Sequence, residues 1–226
     1  PSALGALVRH VRATLEAAGK PDAALDARLL VEHFTGTSRT DAVTDPRRVL
    51  TQAQVDSVLS ALTRRLADEP VHRILGAREF YGMTLSLSQE TLEPRPDTEA
   101  LVDLVLPSLR AIADEKGACR VLDLGTGTGA IALALLSQDA RAHALATDIS
   151  TDALATARAN ANMTGVGERF VTRASRWFDA VEESFDIIVS NPPYIPSKDI
   201  ASLEREVRNY DPLAALDGGN DGLDAY

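Results

Sequence analysis

The stretch Val121-Leu122-Asp123-Leu124-Gly125-Thr126-Gly127-Thr128-Gly129 constrains this chain more than any other. A hydrophobic run passes into a loop with glycine at every second position, then into the apolar segment Ala130–Leu136. Glycine lets the backbone turn tightly and lets a ligand lie against it with no Cβ in the way. A strand, a glycine loop and a helix open an α/β sheet, which binds ligands at the carboxyl ends of its strands. The alternation continues downstream. A strand over Arg120–Leu124 is followed by a helix over about 128–138, a strand over 143–147 and a helix over 150–162, then strands over 169–173 and 185–190. This order predicts an α/β, Rossmann-like parallel sheet with helices on both faces.

Residues 1–75 read differently. Leu4, Leu7, Val8, Val11 and Leu15 recur at helical spacing, and Gly19-Lys20-Pro21 stops that helix. A second helix spans Ala24–Phe34 with Leu25, Leu29, Leu30 and Phe34 apolar, and residues 35–50 form a connector. Thr51-Gln52-Ala53-Gln54 matches a capping box opening a third helix that carries Val55, Val58, Leu59, Leu62 and Leu66. Residues 1–75 are expected to be a small helical bundle that docks a substrate, and 76–95 a β-hairpin linker. Residues 96–226 then form the sheet domain.

Composition narrows the class. With 45% hydrophobic and 25% charged residues among 226, the chain is expected to be globular. No run of about 18 apolar residues exists, so no membrane span is expected, and Pro1-Ser2-Ala3-Leu4 does not open a signal peptide. The single cysteine, Cys119, excludes an internal disulfide and fits a reducing cytoplasm. His10, His33, His72 and His143 have no ligand-like spacing, so no metal is assigned. The net charge of −10 argues against stable nucleic-acid binding, which draws its affinity from phosphate neutralisation.

The loop spacing is G-x-G-x-G, one residue tighter than the dinucleotide fingerprint G-x-G-x-x-G. Asp123 places a carboxylate beside it. That charge repels a pyrophosphate but attracts an ammonium group; the alternative is that Asp123 only caps the turn. Asp148 ends the next hydrophobic run, where a carboxylate accepts ribose hydroxyls. An amino-acid end and a nucleoside end without phosphate describe S-adenosylmethionine. An NAD site with altered spacing is the alternative.

After Phe185-Asp186-Ile187-Ile188-Val189 comes Ser190-Asn191-Pro192-Pro193-Tyr194. Proline ends a strand and holds the residue before it extended, so Asn191 is aimed by its neighbours. Together with Asp123–Gly129, this stretch resembles the class I methyltransferases that modify planar exocyclic or amide nitrogens. Glu69-Pro70, Ile74-Leu75-Gly76, Glu79-Phe80-Tyr81-Gly82, Pro94-Arg95-Pro96-Asp97-Thr98-Glu99 and Asp217-Gly218-Gly219-Asn220-Asp221-Gly222-Leu223 further resemble the HemK/PrmC family. That family comprises the peptide chain release factor glutamine methyltransferases.

The resemblance implies methyl transfer to the glutamine of the Gly-Gly-Gln loop in class I release factors, with S-adenosylhomocysteine as product. It implies that Gly125, Thr126, Gly127, Thr128 and Gly129 line the methionine end, that Asp148 holds the ribose, and that Trp177 lies near the adenine. Asn191 would face both cofactor and target, with Pro192, Pro193 and Tyr194 as the substrate clamp. Asn191, Pro192 and Tyr194 are thus the candidate catalytic residues. Adenine-N6 methylation of DNA or RNA uses the same clamp and is the alternative activity; a module that binds S-adenosylmethionine without transfer is a third reading. Family members have seven strands in this domain and about four are countable here, so C-terminal strands are expected to be missing.

Overall fold

The computed structural model describes residues 2–226, which form two compact units, one ending at Leu75 and one beginning at Gly76. In the first unit the helices are α1 Leu4–Ala17, α2 Ala23–Thr35, α3 Arg39–Thr44, α4 Gln52–Leu66 and α5 Val71–Leu75. Leu4, Leu7, Val11 and Leu15 are fully buried and pack with Leu30, Val58 and Leu62. The capping box forms: Gln54 N–H donates to the Thr51 hydroxyl at 3.3 Å, and Gln54 Oε1 accepts from Thr51 N–H at 3.0 Å. Leu25 and Leu66 depart from the expected apolar faces and reach solvent.

The second unit begins with the antiparallel hairpin β1 Ala77–Phe80 and β2 Met83–Ser86, whose Phe80 and Leu85 are buried in the sheet unit's core. The remaining elements are α6 Glu99–Lys116, β3 Cys119–Leu124, α7 Ala130–Gln138, β4 Ala142–Asp148, α8 Thr151–Met163, β5 Phe170–Ala174, β6 Ile187–Ser190 and α9 Arg205–Tyr210. β6 starts two residues later than its apolar pattern predicts. Asp186 turns its carboxylate onto the N–H of Arg120, at 2.9 Å, instead of continuing the strand.

Four parallel strands stand in the order β5-β4-β3-β6. The chain therefore steps in one direction from β3 to β5, then returns across the sheet to place β6 on the other side of β3. The gap between β3 and β6 is a topological switch point, where open α/β sheets bind ligands. Leu124 is in register with Thr147 on one side and Ser190 on the other, so Gly125, Asp148 and Asn191 leave the sheet at one level.

The two faces of the sheet differ. Val121, Ala144, Ala146 and Val189 share one core cluster with α6, α7 and α8; every residue of α7 from Ala130 to Leu136 is buried. A helix apolar all round belongs inside such a core. The alternate residues Leu122, Leu124 and Leu145 pack instead against Trp177, Val181 and Phe185 of the segment joining β5 to β6. Among the described residues, the segment joining β5 to β6 covers this part of the second face. The return crossover from β5 to β6 is irregular chain, and Val171 and Ile188 beside it stay exposed. Among the described residues, no helix is long and apolar enough to cross a membrane.

Leu135→Ala should cost 2–5 kcal/mol in denaturant unfolding, as buried leucines do. Ile188→Thr, on the open face, should cost less than about 0.5 kcal/mol. Equal losses would contradict this division of the sheet.

Candidate active site

A cavity of about 490 Å³ opens over the carboxyl ends of β3, β4 and β6, within the range of small-molecule sites. Its floor is Gly125, Thr126, Gly127 and Thr128; Asp148, Ile149 and Ser150 form one side, and Ser175, Arg176 and Trp177 stand nearby. Asn191, Pro192 and Pro193 close the β6 side, and Leu92, Pro94 and Arg95 come from the segment after the hairpin. A second cavity of about 500 Å³ is lined by Tyr194, Ile195, Leu101, Asp97 and Leu203, and shares Asn191, Pro192 and Arg95 with the first.

The glycine loop is braced by backbone groups. Thr126 N–H donates to Thr147 O and Gly129 N–H to Thr126 O, both at 2.9 Å. Gly125 and Gly127 adopt φ of 68° and 55°, and a Cβ on either would meet no protein atom within 4 Å. Their bare backbones leave open room on the cavity floor. Asp148 Oδ2 accepts from Gly127 N–H and Oδ1 from Ser150 N–H, each at 2.9 Å. The carboxylate so anchored keeps a free lone pair on each oxygen.

Of the residues expected from sequence, Gly125, Thr126, Gly127, Thr128, Asp148, Trp177, Asn191, Pro192 and Pro193 come together on the first cavity. Tyr194 lies on the second. Gly129 lines neither; it starts α7, packed against Leu133 and Ala157. Asp123 also lines neither and is 1% exposed beneath the loop. Its Oδ2 accepts from the Thr126 hydroxyl at 2.7 Å, which is the turn-capping role. Its Oδ1 has no hydrogen-bond partner among the described residues. Burial pushes this carboxyl up to about 6, against the pull of the Thr126 hydroxyl and the Ala132 amide.

The sequence alone gives no role to three residues that shape the site, Ser175, Arg95 and Gly218. Trp177 has a left-handed backbone, φ 49°, a strained state for a bulky residue. Ser175 holds it there: its hydroxyl donates to Trp177 O and accepts from Ala180 N–H, both at 3.0 Å. A serine in a loop gives no sequence signal. Arg95 donates to the buried carboxylate of Asp211 at 2.6 Å, tying the first wall to the chain after α9. Gly218 packs under the clamp. A Cβ there would sit 2.8 Å from Tyr194 Cα and 2.9 Å from Pro193 O, so only glycine lets these two backbones touch.

A glycine loop and an Asn-Pro-Pro-Tyr turn meeting at the switch point of a parallel sheet place the protein in the Rossmann-like class, with a ligand-sized cavity where such folds bind small molecules. Comparison with known proteins gives the family. Residues 6–76 match the PrmC N-terminal domain, and residues 102–206 the methyltransferase small domain. The release factor glutamine methyltransferase of Agrobacterium fabrum is 55% identical over 95% of this chain and 74% of its own length. That of Bradyrhizobium diazoefficiens is 46% identical over 96% of this chain and 73% of its own. A solved SAM-dependent methyltransferase from Agrobacterium tumefaciens is 16% identical over 52% of this chain and 39% of that one. Its TM-score is 0.44, too loose to add anything. The chain belongs to the release factor glutamine methyltransferase family, and is a methyltransferase.

Asp123 generates a pH test. Below pH 3.8 its carboxyl is neutral in the folded and unfolded chain alike. Between pH 3.8 and about 6 the unfolded chain ionises while the folded carboxyl stays protonated, so stability falls across that window by about 2–3 kcal/mol and stays lowered above it. Asp123→Asn should therefore raise the melting temperature above pH 7, and the gain should vanish towards pH 4. A gain that grows towards acid would contradict the burial of this group.

Proposed function

We propose that this chain transfers a methyl group from S-adenosylmethionine to the side-chain amide nitrogen, N5, of the glutamine in the Gly-Gly-Gln loop of a class I peptide chain release factor. One observation carries the reading: Asn191 and Pro192 are among the residues that line both cavities, so the two spaces adjoin there. A donor on one side and a flat acceptor on the other would meet at these residues.

The residues of the first cavity fit the donor. Bare glycine backbone gives it room, and the Asp148 carboxylate retains acceptor capacity for ribose hydroxyls. Trp177 offers a flat face for the adenine. Asp123 serves from below: its unpartnered oxygen lies under the loop, and above about pH 6 its charge favours the ammonium of the methionine end. When bound, the cofactor supplies a sulfonium-activated methyl and leaves as S-adenosylhomocysteine. No metal enters this scheme.

On the acceptor side the difficulty is electronic. An amide nitrogen is a poor nucleophile because its lone pair is delocalised. The Asn191 carboxamide oxygen and the Pro192 carbonyl accept hydrogen bonds from the target NH2, favouring charge build-up on nitrogen. Tyr194 in the second cavity stacks on the flat group. Holding nitrogen and methyl in line makes the displacement nearly unimolecular, worth about 7–11 kcal/mol in favourable cases.

The helical unit, residues 1–75, docks the release factor; residues 76–95 link it to the methyltransferase domain, 96–226. This work belongs in the cytoplasm, where termination of translation occurs. Adenine-N6 methylation needs the same clamp, but a net charge of −10 opposes a grip on nucleic acid.

Incubation with methyl-labelled S-adenosylmethionine should label a class I release factor, and neither its Gln→Ala variant nor RNA. Equal label on both release factors, or label on RNA alone, would sink the reading. In the same assay Asn191→Ala should lower turnover by about 10²–10³, the cost of one transition-state hydrogen bond. Its affinity for S-adenosylhomocysteine should stay within about twofold of wild type, and a collapse of that affinity would contradict the role given to Asn191.

A further inference from the structure

We propose that Asn160 is a positioning residue that holds the glycine loop of the first cavity against the end of β2, and thereby sets the affinity for the donor. It does not line the cavity itself. The inference rests on reading that cavity as the donor site.

Asn160 lies on α8 and is fully buried, between Ala157 and Ala161 of the same core. A side chain wanted there only for packing would be apolar like its neighbours. A carboxamide is tolerated in such a place only when its donors and acceptor are all met. Here they are. Oδ1 accepts from Ser86 N–H at 2.8 Å, and Nδ2 donates to Ser86 O at 3.1 Å and to Thr128 O at 2.9 Å. The chemistry of the three backbone groups fixes which way the amide faces, because only its NH2 can serve two carbonyls.

One anchor, Thr128, lines the cavity; the other, Ser86, lies outside it. Thr128 is part of the glycine loop, and its peptide is pinned at the far side by the Gly129 N–H bond to Thr126 O. Ser86 ends β2 and leads into the segment carrying Leu92, Pro94 and Arg95. One rigid amide thus ties the loop on the cavity floor to the end of β2, from which the chain runs on to the lining residues Leu92, Pro94 and Arg95. Removing it leaves Thr128 O without that partner and loosens the glycine loop against β2. The donor then meets a less fixed floor and binds less tightly.

The test measures the dissociation constant of S-adenosylhomocysteine on the full chain by calorimetry. Trp177, the only tryptophan, supplies a fluorescence signal from the cavity itself. Asn160→Asp keeps the shape and the acceptor for Ser86 N–H but turns an oxygen towards both carbonyls. Asn160→Ala is small enough to be accepted beside Ala157 and Ala161. Leu135→Ala, buried in the core away from the cavity, is the control for plain destabilisation.

At a temperature where all are folded by circular dichroism, Asn160→Asp should weaken binding at least tenfold and Asn160→Ala at least threefold. Leu135→Ala should bind within about twofold of wild type. If the Asn160 variants melt earlier but bind like the control, the inference is overturned. It is also overturned if neither Asn160 variant folds while Leu135→Ala does, which would make Asn160 a residue of the fold alone. No binding by the wild type would instead overturn the donor-site reading, and this inference with it.

Discussion

The parallel pairing of β3 with β6 is the constraint from which the site follows. Leu124 stands opposite Ser190, and the Ser190 hydroxyl donates to Leu124 O at 2.8 Å. One residue further on, the glycine loop leaves one strand and Asn191 leaves the other. Neither the loop nor the Asn-Pro-Pro-Tyr turn has chemistry alone. The reversal of strand order brings them to the same level, and β4 on the other side adds Asp148 in the same register.

Around that meeting point the chain spends polar groups on rigidity. Asp148 fixes Gly127, Ser175 fixes Trp177, and Gly218 lets the downstream backbone press against Tyr194. Asp123 illustrates the cost. It is a buried acid with one unpartnered oxygen, and fold stability alone gives no reason to keep it charged. Strained or costly groups gather where function over-determines the structure. Trp177 and Asp123 both fit that pattern.

Much of this was legible in the sequence because it is local. Strand, glycine loop and helix are read from one continuous segment, and Asp148 and Asn191 stand at the ends of apolar runs. What depends on the third dimension was not. The depth of Asp123 below its loop depends on how β3 is covered. Asn160 reads as an ordinary helical residue until β2 and the loop are seen on either side of it. The loop crossover from β5 to β6 was legible as two strands in succession, but the exposure of Val171 and Ile188 beside it was not, since their apolar runs read as buried strand. Leu25 shows the converse: helical spacing assigned it to the bundle's core, and the packing of α2 turns it outwards.

The most direct test is a crystal structure of the chain with S-adenosylhomocysteine and a peptide carrying Gly-Gly-Gln. The account predicts the sulfur in the cavity over Gly125–Thr128, with the glutamine amide nitrogen reaching Asn191 Oδ1 at hydrogen-bond distance from the Tyr194 side. A glutamine seated elsewhere, or a sulfur turned away from the Asn191–Pro192 wall, would contradict it.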